Sequence, residues 1–330
     1  MDLRFSTKAA ADSLAKASYD PKKLAAIHAG GALLLSLVLT VLNFFLNRGI
    51  DDAAGIANLG SRAILGTVQS VLALAANIAL PFWEIGFFCA ALKLARGQRA
   101  EPVDLLEGFR RLGAVARLYV LQFGLYLLVA IACLQLASFV FSLTPFFETT
   151  LASVQAILDE AMAQGATTLD AQLLEKMLPA MMPIYVIFFI LLAVVAIPLV
   201  YRFRMAQFAI MDDAPGARKA MGASARMMRG SRFSLFKLDL RFWWYYAAQV
   251  LIAGLAYLDV VLAALGVALP VSQDVVFFFG FGLQTVLQLA LAWGFAAYVQ
   301  TTYAHCYQAL KAAVPPPPQP VPENPWQPRV

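Results

Sequence analysis

The sequence predicts an all-α fold: a polytopic membrane helix bundle with six transmembrane helices and amphipathic helices along one membrane surface. Three observations lead there. Hydrophobic residues form 61% of the chain and charged ones 14%, with a mean hydropathy of +0.71. Soluble domains are nearer half apolar and a quarter charged. Six runs also reach the roughly 20 apolar residues needed to cross a core about 30 Å thick at about 1.5 Å per residue. They lie near 25–46, 68–92, 118–143, 184–200, 243–265 and 275–298. Finally, Lys and Arg alternate along the loops. The leader holds five, 93–117 six, 202–241 nine and the tail two, whereas the three intervening loops hold two, one and none. Basic residues are retained in the cytoplasm, so a multi-pass cell-membrane protein with both termini cytoplasmic is expected.

The elements follow in order. Residues 1–24 form a cytoplasmic leader with an amphipathic helix; the span that follows is too long, comes after too mixed-charge a leader and lacks the small-residue cleavage site expected of a cleaved signal peptide. The membrane domain covers 25–311. Its outer segment 144–183 is acidic, and two helical pieces are expected there, Phe147–Met162 and Leu169–Leu178. Leu151, Val154, Ile157, Leu158 and Met162 would give the first piece an apolar face. The tail, 312–330, is too rich in proline to pack and is expected to be extended and disordered.

The stretch 213–230 reads as a surface helix capped by Asp213, begun by Pro215 and ended by Gly230. At about 100° per residue, Arg218, Lys219, Arg226 and Arg229 share one arc. Ala217, Ala220, Met221, Met227 and Met228 lie opposite. Such a helix suits the cytoplasmic interface, its methionines in the acyl boundary or on the bundle; an ordinary solvated basic loop is the plainer alternative. Arg232 continues the charge, and Phe242, Trp243, Trp244, Tyr245 and Tyr246 follow at once. Basic side chains at the lipid head groups and rings at the interface account for that juxtaposition, with Arg218, Lys219, Arg226, Arg229, Arg232, Trp243 and Trp244 as expected lipid contacts. Segments near 7–18 and 103–112 precede the first and third spans in the same way. The chain can thus be written three times as surface helix, span in, span out. Internal duplication gives that pattern, and so does any six-span chain with inside termini.

The stretch ARKAMGASARMMRGSRFSLFKLDLRFWWYY, beginning at Ala217, resembles the signature of a bacterial membrane family known as domain-of-unknown-function family 975. The matching elements are the Ala-rich basic helix at Ala217–Ala220, the step Met228–Gly230, the run Arg232–Leu240 and the aromatic-rich start Phe242–Tyr246. The resemblance implies a multi-pass membrane protein, of the bacterial inner membrane, and supplies no catalytic residues.

Signatures of chemistry do not occur. There is no phosphate-cradling G-x-x-x-x-G-K-[ST] and no G-x-S-x-G elbow, and Gly280-Phe-Gly282 lacks the third glycine of a dinucleotide loop. Two histidines and three scattered cysteines form no metal-ligand spacing, and His28 and His305 read as interfacial packing. The protein is therefore read as no enzyme, without cofactor, metal or nucleic acid, its partners being membrane lipids and a membrane protein or second copy of itself. One polar feature stands out inside the spans. Ser70, Asn77 and Glu84 recur every seven residues on one helix face, with Pro81 freeing a carbonyl one turn before the carboxyl group. Gln122, Asp259, Gln284 and Gln288 are further intramembrane polar groups. An acid at that depth is costly unless turned inward, so Glu84 is expected to face the bundle interior. Two functions fit: a membrane scaffold or accessory subunit, or a transporter or channel whose polar path runs past Glu84.

Overall fold

The computed structural model describes residues 5–52, 59–163, 171–213, 216–264 and 272–314. These are α-helical, without a strand among the described residues. In order they are α1 (Phe5–Ala15), α2 (Pro21–Asp52), α3 (Leu59–Ala95), α4 (Glu107–Arg110), α5 (Leu112–Ser142), α6 (Phe146–Ala163), α7 (Ala171–Phe203), α8 (Ala206–Asp212), α9 (Ala217–Met227), α10 (Arg232–Arg241), α11 (Trp243–Gly254), α12 (Leu258–Ala264), α13 (Gln273–Leu291) and α14 (Ala297–Ala313). Five of the described stretches are long and apolar enough to cross a membrane: Pro21–Leu46, Ala63–Ala95, Leu112–Ser142, Met181–Asp212 and Val275–Ala313.

The sixth expected span, 243–265, is not one continuous helix. It is α11 and α12 joined by a 3₁₀ turn, Leu255–Tyr257. The turn packs against α13 at Gly280, where a Cβ would stand 2.4 Å from the Leu255 carbonyl oxygen. Gly280 is thus a place of close backbone approach, which is what the Gly280-Phe-Gly282 pair provides here.

Local chemistry explains the helix ends. Asp20 accepts the Lys22 N–H at 3.0 Å, and Pro21 opens α2 at the position where no N–H is needed. Gly97, at φ +67°, closes α3: Gln98 N donates to Lys93 O at 2.9 Å and Gly97 N to Leu94 O at 3.0 Å. Pro81 lies inside α3, and Pro179, Pro183 and Pro198 lie inside α7, without ending either helix. The expected outer piece at Leu169–Leu178 is therefore largely the start of α7, while 164–170 lies outside the described residues. The tail beyond 314 lies outside them as well.

The chain divides into two compact units, Met1–Val115 with Met205–Val330, and Ala116–Arg204. In the second, α6 packs on α7, with Val154, Ile157 and Leu158 half-buried and Leu151 and Met162 exposed. In the first, burial is concentrated where the basic segments lie. Leu24 and Ala25 at the start of α2 meet Phe87, Ala90 and Leu94 near the end of α3, with Leu105, Ala296 and Ala297 in the same cluster. The halves of α2 and α3 away from those segments carry exposed apolar residues instead, such as Leu37, Phe45, Val71 and Leu74. Apolar side chains gain little by packing on one another within lipid, so this asymmetry suits helices held together from the water side.

Candidate functional site

The basic end of the first unit is built on α3. One side of its last turns faces α2: His28 stacks on Phe87 with ring centroids 4.4 Å apart, and Trp83 Nε1 donates to the His28 carbonyl at 2.8 Å. Another side receives the 3₁₀ turn Pro102–Leu106 and α4. Contact there is backbone to backbone. A Cβ on Gly86 would stand 1.9 Å from Leu105 O, and one on Gly108 1.9 Å from Phe82 O. Lys93 Nζ adds a 2.7 Å ion pair with the buried Asp104, whose other oxygen accepts the Glu101 N–H at 2.8 Å.

The third side of α3 meets α8 and α14. Phe88 packs edge-on against Phe208 at 4.9 Å, and Phe208 stacks on Tyr307 at 5.7 Å. Beyond these rings sits Asp212, its side chain only 6% exposed. It pairs with Arg96, accepts from Lys311 Nζ at 2.8 Å and from Tyr307 OH at 3.0 Å. Lys311 also reaches Asp213 at 2.8 Å. Arg111 closes the end of α8 by donating to the carbonyls of Ile210 at 3.2 Å and Met211 at 3.1 Å. Three segments far apart in sequence are thus fixed by one carboxylate.

The surface helix forms as α9, shorter than the expected 213–230. Gly216 precedes it in an extended conformation, and Gly230, at φ +82°, follows its last turn. Asp213 does not cap it. Its own N–H bonds back to Ala209 O at 3.3 Å to finish α8, and its carboxylate is held by Lys311. Pro215 lies outside the described residues. Ala217, Ala220, Ser224, Met227 and Met228 are buried, Met221 is half-buried, and Arg218, Lys219, Arg226 and Arg229 are exposed. The buried face packs on α8, where Ser224 Oγ accepts the Met205 N–H at 3.2 Å. Arg232, expected to reach outward, is half-buried, and its Nε finds no acceptor among the described residues. It opens α10 immediately after Gly230, where the chain turns back onto the bundle.

Helix geometry splits the aromatic run. Trp243 and Trp244 are 65% and 39% exposed, and they continue an outward stripe of Phe233, Phe236 and Leu240 on α10, with Lys237 Nζ 4.7 Å over the Phe233 ring. Phe242 and Tyr245 point inward. Tyr246 OH meets Tyr303 OH at 2.9 Å, and Tyr303 donates to Asp239.

The polar stripe of α3 lies on a face that its own unit leaves open. Ser70 and Asn77 are exposed, and each bonds within its own helix, Ser70 Oγ to Gly66 O at 2.9 Å and Asn77 Nδ2 to Ala73 O at 2.8 Å. Glu84 is also exposed within its own unit, and no hydrogen bond reaches its carboxylate among the described residues. The reason lies in the faces of α3. Trp83 and Phe87 turn to α2, and Phe82 and Gly86 to 102–110, which leaves Glu84 on the third sector. On that sector cover begins only one turn later, at Phe88. Gln122 is buried in the second unit. Gln284 and Gln288 are half-buried on α13, and Gln284 Oε1 is enclosed without a partner among the described residues. The side chain of Asp259 lies outside the described residues. Within the first unit Glu84 is therefore not enclosed with the other polar groups.

Sequence reasoning missed Asp212 and its partners. A signal was present: the Asp212-Asp213 pair ends an apolar run inside the most basic segment of the chain. The length of α14 was missed too, since the expected last span stopped at 298, whereas the helix runs to Ala313 with Val299, Tyr303, Tyr307 and Leu310 buried.

Fold and site together define an all-helical membrane protein whose best-packed region is a layer at the basic end of its spans. The chain belongs to the family described as a protein of unknown function, DUF975, whose model matches residues 21–314. No curated protein and no solved structure matches it.

Proposed function

We propose that this protein is a non-enzymatic scaffold or accessory subunit of the bacterial inner membrane, with both termini cytoplasmic, acting through anionic lipids and through protein contacts at its cytoplasmic surface. The observation that carries this reading is the outward face of α9, α10 and the start of α11. Four exposed cations, Arg218, Lys219, Arg226 and Arg229, stand beside the exposed rings of Phe233, Phe236, Trp243 and Trp244. Cations at head-group level contribute about 1 kcal/mol each at an anionic surface, and amphipathic rings favour the same depth. The transport alternative rests on Glu84, and an exposed stripe whose Ser70 and Asn77 bond within their own helix supports it less.

The test replaces all four cations by Gln in the full chain, reconstituted in nanodiscs of mixed neutral and anionic phospholipid. Native mass spectrometry should show several-fold fewer anionic lipids retained after extraction than for the wild type, with the difference shrinking as salt is raised. Equal retention by the two proteins would remove the lipid reading. Topology reporters at Gln98 and Met221 should read as internal and those at Asp52, Asp159 and Ser272 as external.

A further inference from the structure

Three surface segments precede the spans that start at the basic end: α1, the segment 102–110 and α9. In the first unit each is seated on the end of a returning helix, which in cyclic order is that of the hairpin before it. The segment 102–110 sits on the end of α3, α9 on α8 after the second hairpin, and α1 on α14 at the end of the third. The returning ends also meet one another, through Phe88, Phe208 and Tyr307 and through the Asp212 carboxylate. Six-span topology by itself supplies three hairpins. It does not make each surface segment choose the preceding one, nor does it close the cycle.

We propose that the basic end is a closed three-part ring and that α1 is its strap, the joint at which the ring opens. The other two joints are fastened differently. At 102–110 two glycines bring backbone against backbone, Leu105 is fully buried, and Lys93 holds Asp104. At α9 Met227 and Met228 are buried and Ser224 holds the Met205 N–H. Short linkers tie both segments to the helix ends they sit on, which keeps their local concentration high. Among the described side chains of α1, by contrast, the buried ones are small, Ser6, Thr7 and Ala10, and the one large apolar group, Leu14, is half-buried. Apart from Leu14, these side chains remove little apolar area from water. Among the described residues Ser6 Oγ is enclosed without a partner, and so is Thr301 Oγ1 on α14, groups that water would satisfy on opening. A polar link across the joint is Ser13 Oγ with His305 Nε2, at 2.9 Å between residues 292 positions apart. Such a joint belongs to the low-stability end of a fold. Lifting α1 frees the hydroxyl-bearing face of α14 while the other two joints stay closed.

Amide hydrogen exchange on the full chain in nanodiscs tests this directly, because α1 and α9 are both 11 residues long. Exchange in Phe5–Ala15 should be at least tenfold less protected than in Ala217–Met227. A second arm joins Ser13→Cys to His305→Cys by oxidation, in a chain whose Cys89, Cys133 and Cys306 are replaced by Ala. The cross-link should raise protection of α1 to that of α9 and leave α9 unchanged. Equal protection of the two helices in the wild type would overturn the proposal, whether or not the cross-linked chain folds. A formed cross-link that leaves α1 exchanging as before would overturn it as well.

Discussion

Replacing Asp212 by Ala is the sharpest single perturbation of the basic end. The carboxylate is buried and takes three donors, from Arg96, Lys311 and Tyr307, so the change strips the ends of α3 and α14 of the acceptor that ties them to α8. Hydrogen bonds to a charged group contribute about 1.5–3 kcal/mol when enclosed. The Arg96 and Lys311 side chains are 36% and 43% exposed, so solvent screens their pairs and each is worth about 0.5–1 kcal/mol here. Tyr307 is fully buried, and losing its acceptor costs about 1–3 kcal/mol. The sum is roughly 3 kcal/mol, at the low end of the 3–5 typical of breaking a buried pair.

At roughly 2–4 °C per kcal/mol for units of this size, thermal unfolding in detergent should shift down by about 6–12 °C. Lys311→Met leaves Arg96 and Tyr307 on the carboxylate and should cost about 1 kcal/mol or less. In the double variant the Lys311 effect should shrink to that of its exposed pair with Asp213, since its buried acceptor is gone. An Asp212→Ala protein melting within about 2 °C of wild type would refute the claim that this carboxylate holds the returning helices together.

Two further changes probe the packing around α3. Gly108→Leu places a side chain where the Phe82 carbonyl already lies 1.9 Å from the Cβ position. It should push 102–110 away and cost roughly 3 kcal/mol or more, read as lost folded yield and increased proteolysis at that segment. Glu84→Leu should leave stability unchanged or raise it by up to about 3 kcal/mol, because removing an unpaired carboxylate from a span relieves its desolvation. A drop in melting temperature for that variant would show Glu84 to be hydrogen-bonded inside the bundle after all.

The helices were legible because their causes are local. Apolar runs mark the spans, Asp20-Pro21 starts α2, and Gly97 and Gly230 end their helices by taking φ values that glycine adopts freely. The cationic and apolar faces of α9 were equally readable, since a period of 3.6 residues fixes them whatever lies beneath. What escaped depends on partners. Whether Glu84 points inward follows from which sectors of α3 its neighbours occupy, and heptad spacing gives the sector but not its occupant. The break at Leu255–Tyr257 follows from Gly280 on another helix, and hydropathy along 243–265 carries no trace of it. Asp212 looked like one acid among many cations, because Arg96 and Lys311, the residues that give it meaning, lie 116 and 99 positions away.

The placement of the core follows from the solvent on each side of it. Within hydrocarbon, an apolar side chain gains almost nothing by leaving lipid for another helix, so the halves of α2 and α3 far from the basic end can stay lightly packed without loss. At the basic end water restores the hydrophobic drive, and burying Phe87, Leu105 and Tyr307 stabilises by the usual 1.5–3 kcal/mol or so for each large side chain. Backbone polar groups at helix ends and turns also find water or a cap there, which lets α8, α9 and the 102–110 turn exist at all. The specificity of the fold therefore sits where small residues and charges can choose partners: Gly108 against Phe82, Ser224 against Met205, Asp212 among three donors. The spans supply residence in the membrane, and the layer beneath them decides which helix stands next to which.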